Sequence, residues 1–116
     1  MRIKKHYIDN YEKEKIIEAV KYILTSMPEI IFAYVHGSFT EQKGFGDIDI
    51  AVYLKEENLN DKIINYEIEL EIKLEEKLKF PVDVRVLNTA PLSFQYHTIK
   101  SGVLLFEKDG DRRVEF

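Results

Sequence analysis

Apolar residues along this chain fall into blocks whose spacing changes from helical to extended and back. Ile16, Ile17, Val20, Ile23, Leu24 and Met27 recur at helical intervals. Ahead of them, Asp9 or Asn10 can cap a helix, with Glu12 three residues after Asp9. Pro28 restricts Met27 and ends this first helix. Residues 30–35, Ile-Ile-Phe-Ala-Tyr-Val, predict a strand covered on both faces, closed by Gly37. After a polar, glycine-bearing stretch at 38–46, residues 47–54 alternate. Asp47, Asp49, Ala51 and Tyr53 fall on one face, and Ile48, Ile50, Val52 and Leu54 on the other.

Residues 60–80 carry two patterns at once. Tyr66, Ile68, Leu70, Ile72 and Leu74 alternate with charged residues, as in a strand. Such a strand is unusually long, whereas the Glu, Leu, Lys and Ile content favours helix, and Ile63, Ile64, Leu70, Leu74 and Leu78 supply a stripe. The segment therefore predicts a helix, although Glu67 and Glu71 intrude on its stripe. Its acidic residues Glu67, Glu69, Glu71, Glu75 and Glu76 read most simply as a solvated helix side, with a basic partner docking there as the alternative. Residues 82–87 alternate again, with Asp83 and Arg85 opposite Val82, Val84 and Val86. Pro91 suits the first turn of a short helix to about Lys100, Gly102 its stop, 103–106 a fourth strand and 109–116 a tail. The order α, β, β, α, β, α, β predicts an α/β (α+β) fold: a small mixed sheet of about four strands with helices packed on it.

Length and composition narrow this further. At 116 residues the expectation is a single domain, 1–116, and the 45% apolar and 33% charged content is that of a globular chain. Cysteine is absent, so disulfides and thiolate metal sites are excluded. No signal-like apolar run opens the chain, and no segment approaches the roughly 20 apolar residues of a membrane span. The expected location is the cytoplasm. A formal net charge of −4 argues against direct nucleic-acid binding, which rests on Lys and Arg neutralising phosphates.

That acidity points to chemistry through metal. Asp47 and Asp49 lie on one strand face, separated by about 6 to 7 Å of rise, where both can reach one or two hard cations such as Mg²⁺. Asp83 adds a third carboxylate if its strand neighbours theirs, the arrangement that two-ion phosphoryl transfer requires. Gly37-Ser38 directly follows a strand. Glycine there lets backbone approach a phosphate, and a free N–H and the Ser38 hydroxyl can donate to it. Lys43 offers a mobile positive charge, while Gly44 and Gly46 let the loop fold over a nucleotide. Singly, these are a turn, a solvated acidic edge and an Asp83–Arg85 ion pair; their joint order carries the signal. His36 reads as a strand-end histidine satisfied by backbone, and His6 and His97 as surface or packing residues, the three forming no metal-ligand spacing.

At these residues the chain resembles the nucleotidyltransferase superfamily of DNA polymerase β and the aminoglycoside nucleotidyltransferases, and most of all the minimal nucleotidyltransferase (MNT) domains. The stretch HGSFTEQKGFGDIDIAVYL, then PVDVRVLN, carries the resemblance, which continues through FQYHTIKSGVLLFEKDGDRRVEF. It implies that Gly37 and Ser38 bind the β,γ-phosphates of ATP, that Asp47 and Asp49 hold the metals, and that Asp83 joins one metal and helps deprotonate the acceptor hydroxyl. Eight residues, Phe39 to Gly46, separate the Gly-Ser from the acids, a shorter spacer than the family's common form. Glu41 stands where an arginine often falls, and Gly46 where a serine often does.

Larger superfamily members carry a second domain for the acceptor, and 116 residues leave no room for one, so the acceptor is expected on another protein. MNT domains of this size resemble the antitoxin half of toxin–antitoxin pairs. There the partner is a HEPN-domain ribonuclease toxin, inactivated by transfer of AMP from ATP to a tyrosine, and the resemblance implies a hetero-oligomer with it. Two alternatives stay open: a non-catalytic antitoxin acting by binding alone, and a nucleotidyltransferase with a small-molecule acceptor.

Overall fold

A computed structural model describes residues 4–108; the tail expected at 109–116 lies outside the described residues. In chain order the elements are β1 (His6–Tyr7), α1 (Asn10–Thr25), β2 (Ile30–His36), α2 (Ser38–Glu41), β3 (Gly44–Phe45) and β4 (Ile48–Leu54). There follow α3 (Ile63–Leu78), β5 (Val82–Val86), α4 (Leu92–Ser101) and β6 (Val103–Glu107). Four strands make one mixed sheet in the order β5-β4-β2-β6, with β4 and β5 parallel and the other pairs antiparallel.

The alternation in β4 sorts its side chains as the sequence predicts. Ile48, Ile50, Val52 and Leu54 join Val20 and Leu24 of α1 and Leu70, Leu74 and Leu78 of α3 in the larger core. Ala51 belongs to a smaller core on the opposite face with Phe32, Tyr34 and Leu87, against which Phe94 and Ile99 of α4 pack. Every residue of β2 is buried, which is why its run shows no alternation. The first helix starts as expected: the Asp9 carboxylate accepts from the Glu12 N–H at 2.8 Å.

Helix α3 resolves the double pattern at 60–80. It lies along the edge strand β5, and its glutamates face that edge instead of water. Glu75 accepts from the Val82 N–H at 2.9 Å, Glu71 from Val84 at 2.8 Å and Glu67 from Val86 at 2.9 Å. The spacing explains the fit. Four helical residues rise about 6 Å and two strand residues about 6.6 Å, so an i, i+4, i+8 row matches every second outward amide of a strand. These three residues therefore correct the reading of a wholly solvated acidic side: they supply the acceptors that a fifth strand would have supplied.

Two further pieces differ from the sequence expectation. The stretch 38–46 contains the one-turn helix α2 and the short strand β3, which pairs antiparallel with β1. Strand β4 begins at Ile48, leaving Asp47 in the preceding bend. Asn88, after β5, receives the Leu54 N–H at 2.9 Å and donates to the Leu54 carbonyl at 3.0 Å, tying off the far end of β4.

Replacing Glu71 by leucine keeps bulk but strands the Val84 N–H. We expect a loss of about 1 to 3 kcal/mol in urea unfolding, with Glu71→Gln, which retains an acceptor, losing less. Equal stability of the two variants would remove the edge-locking role.

Candidate functional site

One row of side chains crosses three strands at the same end of the sheet. His36, last in β2, is the register partner of Asp49 in β4, and Asp49 is the partner of Asp83 in β5. Paired residues point to the same face, so the two carboxylates stand side by side. Asp47 is exposed in the bend one residue before β4. Among the described residues, no three acidic or histidine side chains are already gathered closely enough to hold an ion. The two strand-borne acids are set by the sheet register, and the third stands in the bend before β4.

Gly37 joins this row from the β2 side. Its φ of +78° lies in the region that disfavours other residues, and a Cβ there would collide with the Asp49 carboxylate. Glycine is therefore required twice, by backbone conformation and by the acid against it. Ser38 opens α2, where the first backbone N–H groups of a helix have no intrahelical acceptor. Thr40 and Glu41 N–H groups both return to the Gly37 carbonyl at 3.1 Å, closing the turn.

Electrostatics at the row are unfavourable to charge. Burial, then Asp83 and Asp47, push the Asp49 carboxyl up to about 6, with Arg85 opposing. Glu71 touches the same cluster: burial raises its carboxyl, the Val84 N–H pulls it back, and Asp83 raises it again. His36 is buried and its Nε2 has no hydrogen-bond partner, which corrects the expectation of a histidine satisfied by backbone. Burial holds its pKa below the usual value against the pull of Asp83, and its ring meets Phe94 edge-on at 5.4 Å. The site thus offers clustered carboxylates next to a neutral imidazole. Two side-by-side carboxylates are donors of the kind a divalent cation takes, and a cation there would relieve the part of the Asp49 shift that Asp83 adds to burial.

The sequence reading missed Lys13. Its ammonium reaches from α1 to the Phe39 carbonyl at 2.8 Å and the Gln42 carbonyl at 2.7 Å, over the faces of Phe39 and Phe45. Phe39 and Phe45 are fully buried, 4.8 Å apart edge-to-face, with Phe80 and His6 packed on Phe45. Lys43, the expected phosphate cation, is exposed just before β3. Gly44 is buried beneath the Tyr7 ring, 2.7 Å from where its Cβ would lie, and serves strand pairing instead of a mobile cover. Nothing in a helix-periodic pattern marks a lysine as reaching a loop 26 residues on.

A family model described as polymerase beta, nucleotidyltransferase, matches residues 18–111. The chain belongs to that nucleotidyltransferase family. Solved structures with the same fold include a toxin–antitoxin MntA–HepT mutant complex, 25% identical over 84% of this chain and 76% of the other, with a TM-score of 0.67. Another is the MNT antitoxin in complex with a tri-AMPylated HEPN toxin from Shewanella oneidensis, 23% identical over 89% and 78%, TM-score 0.65. A third is a toxin–antitoxin complex with AMP-PNP, 23% identical over 92% and 80%, TM-score 0.63. No curated protein matches the chain. The nucleotidyltransferase fold expected from the sequence is thus the fold observed.

Two outcomes follow. A carboxyl raised from 3.8 to about 6 keeps its proton in the folded chain after the unfolded chain has lost it, so stability falls as pH rises from about 4 to 6 and stays reduced above. Asp49→Asn should melt higher than the parent at pH 8, with the gap closing towards pH 4. Added Mg²⁺ at pH 8 should raise the melting temperature of the parent more than that of the variant. Melting curves followed by circular dichroism check both, and a pH-independent gap contradicts the assignment. Separately, Lys13→Met keeps the stem but removes both loop hydrogen bonds. It should speed amide exchange across 38–46 at least several-fold while leaving the sheet amides protected.

Proposed function

We propose that this chain is a single-domain, Mg²⁺-dependent nucleotidyltransferase acting in the cytoplasm as the antitoxin of a toxin–antitoxin pair. It moves AMP from ATP to a tyrosine hydroxyl of a cognate HEPN-type toxin, with which it forms a hetero-oligomer. The observation that carries this reading is the meeting of Gly37 with Asp49, and of Asp49 with Asp83, at one sheet end. A phosphate-accommodating turn and a carboxylate pair then share one place. The family match supports nucleotidyl transfer, and among the described residues no helix is long and apolar enough to cross a membrane. The AMPylated toxin in one neighbouring complex and the ATP analogue in another support AMP, ATP and a HEPN partner.

In this reading Gly37 and Ser38 receive the β- and γ-phosphates, with Lys43 available as a loose counter-charge. Asp47, Asp49 and Asp83 hold the metal. Magnesium, when bound, neutralises the triphosphate and the charge that builds on it during transfer. The acceptor oxygen attacks the α-phosphorus, the α–β phosphoanhydride bond breaks, and pyrophosphate leaves. Asp83 takes the acceptor proton, which leaves AMP joined to the tyrosine oxygen.

One observation favours the rival reading of a non-catalytic antitoxin. Glu41 lies within electrostatic reach of His36, and its charge opposes a triphosphate. Incubation with α-labelled ATP and Mg²⁺, with and without the product of the neighbouring gene, separates the two. Transfer predicts label on that protein, reduced by about a hundredfold or more in Asp47→Asn and in Asp49→Asn. A tight complex that never acquires label establishes binding alone.

A further inference from the structure

Three isoleucines of α3 stand in water: Ile64 is 69% exposed, Ile68 49% and Ile72 59%. Spaced four residues apart, they share one flank of the helix and form a ridge about 12 Å long. Scattered apolar side chains on a surface are ordinary, but an aligned row is an interaction feature. The fold has no use for this row. Leu70, Leu74 and Leu78 already fill the core side of α3, and Glu67, Glu71 and Glu75 lie between that side and the ridge.

Both long borders of the ridge are acidic. On one, Glu67, Glu71 and Glu75 accept from backbone N–H groups, which carry no net charge and leave the carboxylates' charge in place. On the other, Glu69 and Glu76 are exposed, with Lys73 further round the helix. At the Ile64 end the ridge opens into a groove of about 460 Å³ between the start of α3 and the turn into α4, walled by Asp61, Glu67, Arg85 and Pro91. A second copy of this chain laid ridge to ridge would set acidic borders against acidic borders, which opposes self-association.

We propose that the ridge of Ile64, Ile68 and Ile72 docks an amphipathic helix of a protein partner, whose apolar stripe covers the isoleucines and whose flanking Lys or Arg side chains meet the two acidic borders. Identifying that partner with the AMP acceptor rests on the transferase reading; the docking chemistry does not. The placement fits an acceptor, because Glu71 borders the ridge and also interacts with Asp83, so a helix seated here lies beside the acid row.

Three labelled synthetic helical peptides test the surface by fluorescence anisotropy on the full chain. One carries a leucine stripe with Lys and Arg flanks, one the same stripe with Glu flanks, and one the basic composition scrambled so that no stripe forms. The first should bind at least about tenfold more tightly than either control and weaken as salt is added. Ile68→Asp, and separately Glu69→Lys with Glu76→Lys, should each weaken it about tenfold while melting curves stay unchanged. Equal binding of the scrambled peptide, no binding of any peptide, or indifference to Ile68→Asp overturns the proposal. So does sedimentation evidence that the parent self-associates through this face and that Ile68→Asp separates the copies. Asp49→Asn, tested alongside, should keep peptide binding. Peptide binding without any labelled acceptor therefore defeats the transferase reading alone, and labelling without peptide binding defeats the docking surface alone.

Discussion

Parallel pairing of β4 with β5 sets Asp49 beside Asp83, and that pairing depends on what lies beyond β5. An edge strand presents a row of unsatisfied N–H groups, and this one receives three carboxylates from α3 in their place. Charge-assisted bonds of this kind are shorter and stronger than neutral ones. They fix β5 along its length, with the helix already anchored through Leu70, Leu74 and Leu78 in the core. The position of Asp83 is therefore set from both sides, by β4 through the sheet and by α3 through the glutamates on its neighbours Val82 and Val84.

The other half of the site is held by different physics. Gly37 yields space to Asp49, and the chain then turns into α2 and back through β3 without the length of a longer spacer. Such a short connection needs an anchor. Phe39 and Phe45 supply it as buried, crossed rings, and Lys13 satisfies two of the loop carbonyls that the turn leaves without strand or helix partners. The pairing of β1 with β3 closes the loop from the outside. A stretch that reads as polar and flexible is thereby a braced element, and its glycine at 44 serves packing against Tyr7.

What was legible in the sequence were local features. The faces of β4 follow from a spacing of 2, the covered character of β2 from an unbroken apolar run, the Asp9 cap from residue type ahead of a helix-spaced stripe, and the helix at 60–80 from composition and length. Asp47, Asp49 and Asp83 were nameable because alternation predicts two of them on one strand face and the third on another strand; the adjacency of Asp49 and Asp83 needed the strand order, which no local pattern contains. The glutamates at 67, 71 and 75 and the lysine at 13 were misread or missed for one reason. Each looks like an exposed helix charge in its own helix, and only the strand or loop that the fold brings against it gives it a partner. His36 escaped in the opposite sense: its position at a strand end was readable, but its unpartnered Nε2 depends on α4 packing over it.

Glu71 joins these themes in one side chain. Its carboxylate accepts from the Val84 N–H, borders the isoleucine ridge, and stands close enough to Asp83 that Asp83 opposes its ionisation. Were the edge lock and the acid row independent, a carboxylate at this position would only add repulsion where Asp49 and Asp83 already repel, and a neutral acceptor would serve β5 better. An acid is tolerable there because the Val84 amide offsets part of that repulsion, and a cation held by Asp49 and Asp83, as the proposed function requires, would offset more. The same logic extends outward. A basic helix on the ridge would lower the cost of charge at Glu71, so the proposed docking and the proposed metal loading would favour one another through a shared field. The acidity that disfavours gripping nucleic acid is, on this account, what couples the two surfaces.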